Sequence, residues 1–333
     1  MSPHEIGDRL GDMFRLLVGG RRRAQRQQTL QAALDWSYEL LSETERVLLR
    51  RLATFSGSFM LKAAEGTCSD DLVPAHGVLD LLGSLVTKSL VVTEEREEDT
   101  RYRLLETVRL YAAEKLREAG ESDDFRSRHR DWYLGWLRSF SWEDLYLSAS
   151  TGYLLEADLP NLRAALEWSI AEERPDLVAS MAGRLYAVWC WLGHYEEGFR
   201  LLMASRPEDL DIEPEEQVAC LGASAMCSGF LLRAEGQELR RRAIEAAGGR
   251  PSGPYVDSLC GLALNRSVVA ETRQDAEEAE ALREHFEQAR QIAQSLPRVW
   301  MGHVSVVAGA AEVTMRNLDR GRELLAQAPD YFD

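Results

Sequence analysis

Two short β-rich runs inside a stretch of helical periodicity constrain this chain more than any other feature. Leu90-Val91-Val92-Thr93 and Tyr102-Arg103-Leu104-Leu105 flank a charged turn and read as a hairpin with a long tip. The residues before them carry apolar spacing near 3.6. A helix is expected over 29–41, with Ala33, Leu34, Ser37, Tyr38 and Leu41 on one stripe. Ser42-Glu43-Thr44-Glu45 forms a capping box for a second helix, which shows Leu48, Leu52 and Phe55 at i, i+4, i+7. Phe55–Phe59 breaks that helix and Leu61–Cys68 makes a short third one. A fourth, over 77–88, places Val78, Leu81, Leu82, Leu85 and Val86 together. A last helix over 107–118 turns Val108, Tyr111, Ala112 and Leu116 inward. Helices closed by a hairpin make a winged-helix module over residues 29–120.

From about residue 125 onward the pattern is helical and points to a TPR-like α-solenoid over 121–333. Gly193-His194-Tyr195-Glu196-Glu197-Gly198 followed by Leu201-Leu202 matches the turn and second helix of a tetratricopeptide unit, with Leu185 inside the preceding helix. Ala308-Gly309 followed by Leu318, Gly321, Leu325 and Ala328 repeats that spacing near the end, while units around 216–249 and 256–296 fit more loosely. The abrupt finish at Tyr331-Phe332-Asp333, with no polar capping helix, is the pattern of a fragment or of a docked neighbour. The expected fold class is therefore mainly α.

Charge narrows the function classes. The net charge is −16; residues 1–130 hold 20 Lys/Arg against 22 Asp/Glu, and the remainder 19 against 33. So acidic a C-terminal part repels phosphate backbones. The five cysteines are odd in number and form no CxxC pair, which favours buried packing in a reducing cytoplasm over disulfides or metal. No apolar run reaches membrane-span length.

No site of known catalytic pattern emerges. There is no Gly-Lys dipeptide, hence no Walker-type phosphate loop, and GxGxxG, GxSxG and HExxH are absent. His129-Arg130-Asp131 imitates a kinase catalytic loop without its companions and reads as a helical surface. Asp209, Asp211 and Glu213 imitate a calcium loop, but Pro214 stands where glycine is required. No catalytic residue, metal or cofactor is expected. The outward face of 77–88 offers Asp80, Gly83, Ser84 and Thr87 with one cation, Lys88, and the wing tip Glu94-Glu95-Arg96-Glu97-Glu98-Asp99 is acidic where a DNA-binding wing meets phosphate. DNA binding by this segment alone is disfavoured, although Arg21–Arg26 could touch phosphate. Aromatic residues gather beyond residue 130. Most read as packing; Tyr186, Trp189 and Tyr195 are the candidates for a concave surface that takes a partner or effector.

The runs RQQTLQAALDWSYELLSETERVLLRRLATFSGSF (26–59), VLDLLGSLVTKSLVV (78–92), RYRLLETVRLYAAEKLREAG (101–120) and RHRDWYL (128–134) resemble the bacterial STAND-type regulatory ATPases, which are related to the apoptosome and plant-resistance ATPases. Ser2–Leu10 looks like the last helix of their nucleotide-binding region, so residues 1–28 would be a remnant of the ATPase lid and its linker. The resemblance is specific over 26–134 and generic beyond. It implies an ATPase module on the N-terminal side that this chain lacks, a winged helix that clamps the nucleotide, and repeats that sense an effector. Relatives carry a Met-His-Asp-like motif at the second wing strand; here Leu104, Leu105 and Glu106 correspond, and Leu105 cannot donate to a phosphate.

These observations lead to a non-catalytic regulatory segment: helical repeats take a protein partner or small effector, and the event passes through the 19–28 hinge and the 107–118 helix. The alternative is a stand-alone winged-helix regulator reading DNA. An enzyme with a site in the repeats has no constellation behind it.

Overall fold

The computed structural model describes residues 31–95, 100–233, 235–273 and 276–331. The helix expected over 5–18, the Arg21–Arg26 run and the wing tip at 96–99 lie outside the described residues. The chain divides into two compact units, Met1–Arg128 and His129–Asp333.

In the first unit a helix over 31–39 (α1) precedes α2, Glu43–Leu52. Ser42 caps α2 as its sequence predicts: its hydroxyl accepts from the Glu45 amide, and the Glu45 carboxylate accepts from the Ser42 amide at 2.7 Å. After α2 the chain turns on Phe55, whose ring stacks on Phe59 with centroids 4.2 Å apart. Phe59 in turn stacks on Tyr102 at 6.2 Å, drawing Phe59–Met60 into a strand, β1. Then follow α3 (Leu61–Cys68), α4 (Val78–Thr87), β2 (Val92–Glu95), β3 (Thr100–Arg103) and α5 (Glu106–Glu118). The sheet order is β1-β3-β2, all antiparallel, with Phe59 opposite Tyr102 and Val92 opposite Arg103.

Two expectations need correction. The sheet has three strands, because a two-residue strand leaves no periodic trace in the sequence. The second wing strand ends at Arg103, so Leu104 and Leu105 leave the ladder; Leu105 becomes the residue that opens α5. Much of the expected core is realised: Leu48, Leu52, Val78, Leu82 and Leu85 are fully buried, and Val108, Tyr111, Ala112 and Leu116 on α5 are buried. Leu81 and Val86 are only half-buried, and of the stripe expected over 29–41 only Leu41 is buried while Ala33 is exposed. Each such side chain contributes about 1.5–3 kcal/mol by leaving water. Arg51 pins the turn between α3 and α4. Its buried guanidinium grips Asp70 through two bonds of 2.9 and 2.6 Å and donates to the Cys68 carbonyl. That grip, with the Leu72 and Val73 amides, holds the Asp70 carboxyl at about 2.

The second unit is helical throughout its described residues. Its elements are α6 (Ser122–Arg138, whose first turns belong to the first unit), α7 (Trp142–Leu147), α8 (Ala149–Ala157), α9 (Leu159–Ala171), α10 (Pro175–Arg184), α11 (Tyr186–Cys190) and α12 (Tyr195–Ser205). Three longer hairpins follow: α13 (Pro214–Phe230) with α14 (Gly236–Ala247), α15 (Gly253–Arg273) with α16 (Ala276–Ala293), and α17 (Val299–Thr314) with α18 (Leu318–Gln327). Leu185 is not inside a helix; it marks the break between α10 and α11. The last hairpin closes on glycines. A Cβ on Gly309 would fall 2.7 Å from Leu325 Cγ, and one on Gly321 would fall 2.6 Å from Val313 Cγ2 and 3.1 Å from the Gly309 carbonyl.

Candidate functional site

On a winged helix the second helix of the helix-turn-helix, here α4, is the element that would enter a DNA groove. Exposed along α4 and the turn before it are Ala75, His76, Leu79, Asp80, Gly83 and Thr87. Lys88, the cation at its end, ion-pairs with Glu45, and the Ser84 hydroxyl donates to the same carboxylate oxygen. Glu45 is 6% exposed. Burial pushes its carboxyl up, but Lys88, Ser84 and Ser42 outweigh that and hold it at about 2. One buried carboxylate thus caps α2 and ties down two of the outward groups expected on α4. Beside it, Glu94 on β2 pairs with Arg103 on β3, and Glu95 is exposed.

Among the described residues most other cations of this unit are also engaged. Arg50 pairs with Glu121 at 2.6 Å, Arg109 with Glu106 at 2.7 Å, Lys115 with Glu118 at 2.9 Å, Arg128 with Asp124 at 3.1 Å, and Arg117 with Glu114. Lys62 on α3 is exposed and has no such partner among the described residues. At the position corresponding to the nucleotide-sensing motif, Leu104 is buried, Leu105 is exposed, and the Glu106 carboxylate is held by Arg109.

The three aromatic candidates of the second unit do not share one surface. Trp189 is fully buried and donates its indole N–H to the Ala182 carbonyl at 2.8 Å; a Cβ on Gly198 would collide with its ring at 2.6 Å. Tyr186 is buried too, stacked on Tyr146 with centroids 4.0 Å apart. Tyr195 is half-buried against Phe230, 4.3 Å between centroids. The expectation that Tyr186 and Trp189 line an open concave face is therefore wrong: packing between the helices turns both into the core.

Polar residues that sequence patterning passed over form two buried networks. Asp257 on α15 lies 3.3 Å from Arg240 of α14 and 3.3 Å from His303 of α17, and accepts from the Tyr186 hydroxyl at 3.4 Å. Burial pushes the Asp257 carboxyl up, and His303 and Arg240 outweigh it and hold it low. An aspartate inside the apolar run Tyr255–Leu264 was the available signal. Glu216 on α13 gathers Arg138 (3.1 Å), Arg184 (3.1 Å) and the Ser180 hydroxyl. His129, expected on a helical surface, is buried, and its imidazole is pushed down to about 4 by burial, against a hydrogen bond with Asn161. All five cysteines are buried and free.

Two of the grooves on this unit stand out among the described residues. One of about 600 Å³ lies between α16, α17 and α18, with a floor of Phe286, Val304 and Ala308 and mixed Arg and Glu walls. The other, about 260 Å³, lies between the α9–α10 turn and α12, over Val178 and Leu201. Among the described residues no His, Cys, Asp and Glu group is arranged to hold a metal ion, and no helix is long and apolar enough to cross a membrane.

Residues 41–117 match the winged helix-turn-helix domain family, the segment α2–α5 together with the residues just before it. Over 236 residues the chain is 42% identical to a Mycobacterium tuberculosis protein whose name provisionally assigns it to the HTH-type transcriptional regulators; a Mycobacterium bovis protein of like name matches equally well. The match covers 69% of this chain and 27% of the relative, so the chain spans about a quarter of the length of those relatives. An uncharacterised M. tuberculosis protein is 44% identical over 132 residues, 39% of this chain and 34% of that one. Among solved structures, a signal transduction ATPase with numerous domains and a tetratricopeptide repeat sensor, from Pyrococcus horikoshii, aligns with a TM-score of 0.45 at 15% identity, over 88% of this chain and 45% of that one.

Proposed function

We propose that this chain is the non-catalytic regulatory part of a STAND-type signalling or transcriptional regulator. In this reading the helical hairpins take a protein or small effector in the cytoplasm, and the winged helix relays that event to a neighbouring ATPase module. The observation that carries it is the character of α4: its terminal cation is spent on Glu45, and its open face is Ala75, His76, Leu79, Asp80, Gly83 and Thr87, with the Thr87 hydroxyl donating to the Gly83 carbonyl. Among the described residues such a face offers His76 as its one unengaged side-chain donor and no unpaired Lys or Arg for base edges and phosphates, and suits contact with protein. The ion pairing of Arg50, Arg109, Lys115 and Arg117 supports the same reading, because phosphate would have to displace carboxylates already in place.

A second reading, a winged-helix regulator that binds DNA itself, is favoured by the domain match, by the relatives' name and by the exposed Lys62, which has no ion-pair partner among the described residues. Fluorescence anisotropy of the full chain with labelled duplex at about 50 mM salt, where phosphate contacts are strongest, separates the two. The proposed reading expects no saturation at micromolar protein. Saturable, sequence-dependent binding there overturns it and installs the second.

A further inference from the structure

The smaller groove of the second unit holds two unpaired charges of opposite sign around an apolar floor. Its floor is Val178 and Leu201, both buried, with Ile170 and Ala204 at the rim. One side is the turn after α9, where Glu173 adopts left-handed φ of 55° while its amide bonds the Ile170 carbonyl and the Arg174 amide bonds that of Ser169. The other side is α12, which contributes Arg200.

Arg200 has acidic neighbours on its own helix. The carboxylates three and four residues earlier would ordinarily pair with it along the helix. Both are committed elsewhere: Glu197 to Arg163 at 2.6 Å and Glu196 to Arg233 at 2.9 Å. Across the groove Arg174 is taken by Asp176 at 2.7 Å, which leaves Glu173 alone. Among the described residues neither the Arg200 nor the Glu173 side chain has an ion-pair or hydrogen-bond partner, and the two are not paired with each other.

We propose that this groove binds a free apolar α-amino acid. Its carboxylate meets the Arg200 guanidinium, its ammonium meets the Glu173 carboxylate, and its side chain lies on Val178, Leu201 and Ile170. A simple anion would satisfy Arg200 and leave Glu173 facing it; a simple cation would do the reverse. A zwitterion answers both, and the apolar floor selects a hydrocarbon side chain. About 260 Å³ suits that size: it lies between a cavity of roughly 150 Å³ that admits benzene and the ~300 Å³ at which drug-sized sites begin. The inference rests on the reading of the hairpins as the effector-binding part and names the effector's chemical class.

Isothermal titration and saturation-transfer NMR of the full chain with L-leucine and L-phenylalanine test it. Leucinamide (no carboxylate), 4-methylpentanoate (no ammonium) and glycine (no side chain) serve as controls. The expected result is saturable binding of at least one of the two amino acids, weakened roughly tenfold or more for each control and in Arg200→Gln and Glu173→Gln, since each removes a charge-assisted bond. Both residues are exposed, so the variants should melt as the parent does. Absence of saturation with both amino acids overturns the proposal. So does binding unchanged in both variants, or 4-methylpentanoate binding as tightly as leucine. A chain that takes up no amino acid and also binds no duplex refutes this inference alone and leaves the regulatory reading standing.

Discussion

Replacing Glu45 by glutamine tests whether one buried carboxylate organises the winged helix. The native carboxyl sits at about 2 against 4.5 for an ordinary glutamate. At about 1.4 kcal/mol for each factor of ten in proton affinity, that difference amounts to on the order of 3 kcal/mol of stability at neutral pH. Glutamine keeps the shape, but its single oxygen can take the place of only one carboxylate oxygen, so it accepts from the Ser42 amide or from the Ser84 hydroxyl and not from both. It also loses the ion pair with Lys88, whose side chain is 38% exposed, and exposure discounts that part. The expected cost is therefore about 1–3 kcal/mol.

The pH dependence has a definite sign. The folded carboxyl is depressed, so its contribution is fully present above 4.5. Below 4.5 the unfolded chain takes up a proton that the native state refuses, and the advantage falls by about 1.4 kcal/mol per pH unit until the native group titrates near 2. Seven of the eight tryptophans lie beyond residue 130, so fluorescence would report the wrong unit. Methyl NMR signals of Leu48 and Leu82, followed through urea titrations at pH 7, 5 and 3, report the first unit directly. The gap between parent and Glu45→Gln should be intact at pH 7 and 5 and smaller by about 2 kcal/mol at pH 3. A gap under about 0.5 kcal/mol at pH 7, or one that does not change down to pH 3, refutes the assignment.

Two further outcomes are expected. Gly321→Ala should destabilise the α17–α18 hairpin by about 1–3 kcal/mol, because the new methyl meets Val313 and the Gly309 carbonyl, of which the carbonyl cannot rotate away; hydrogen exchange confined to α17 and α18 should accelerate. His129, neutral and buried with its imidazole near 4 against 6.5 when unfolded, should make the second unit lose stability as pH falls from 6.5 to 4, since the unfolded chain binds the proton first. The loss is on the order of 3 kcal/mol, and His129→Gln should flatten that part of the tryptophan-monitored stability profile.

The first unit was legible because its signals are local. The Ser42–Glu45 capping box, the Val78–Leu82–Leu85 stripe and the inward Val108, Tyr111, Ala112 and Leu116 each follow from spacing within one element, and each is realised. What stayed hidden depends on partners distant in sequence. Glu45 reads as a cap and nothing more, because its second role needs α4 folded back on α2. Phe59 reads as a loop residue until Tyr102 pairs with it. Trp189 and Tyr186 mislead for the converse reason: aromatic clustering looks alike whether the rings line a surface or fill a core, and only the close approach allowed by Gly198 decides. Arg200 carries no signal in the sequence: Glu196 and Glu197 stand at helical pairing distance, and only their tertiary commitments leave it unpaired among the described residues.

Across the second unit, neighbouring helices are keyed by arginine–carboxylate pairs: Arg130 with Glu172, Arg163 with Glu197, Arg184 with Glu216, Arg240 with Asp257, Arg283 with Glu312. Buried pairs of this kind add little net stability, because desolvation offsets the attraction, yet they penalise any register that strands one partner. Pairing also consumes cations inside the unit, and the acidic excess is left to face solvent. That field repels polyanions, so a recognition event on this unit calls for a partner that is cationic, neutral or zwitterionic, and an unpaired Arg200 beside an unpaired Glu173 is the arrangement that meets the last of these.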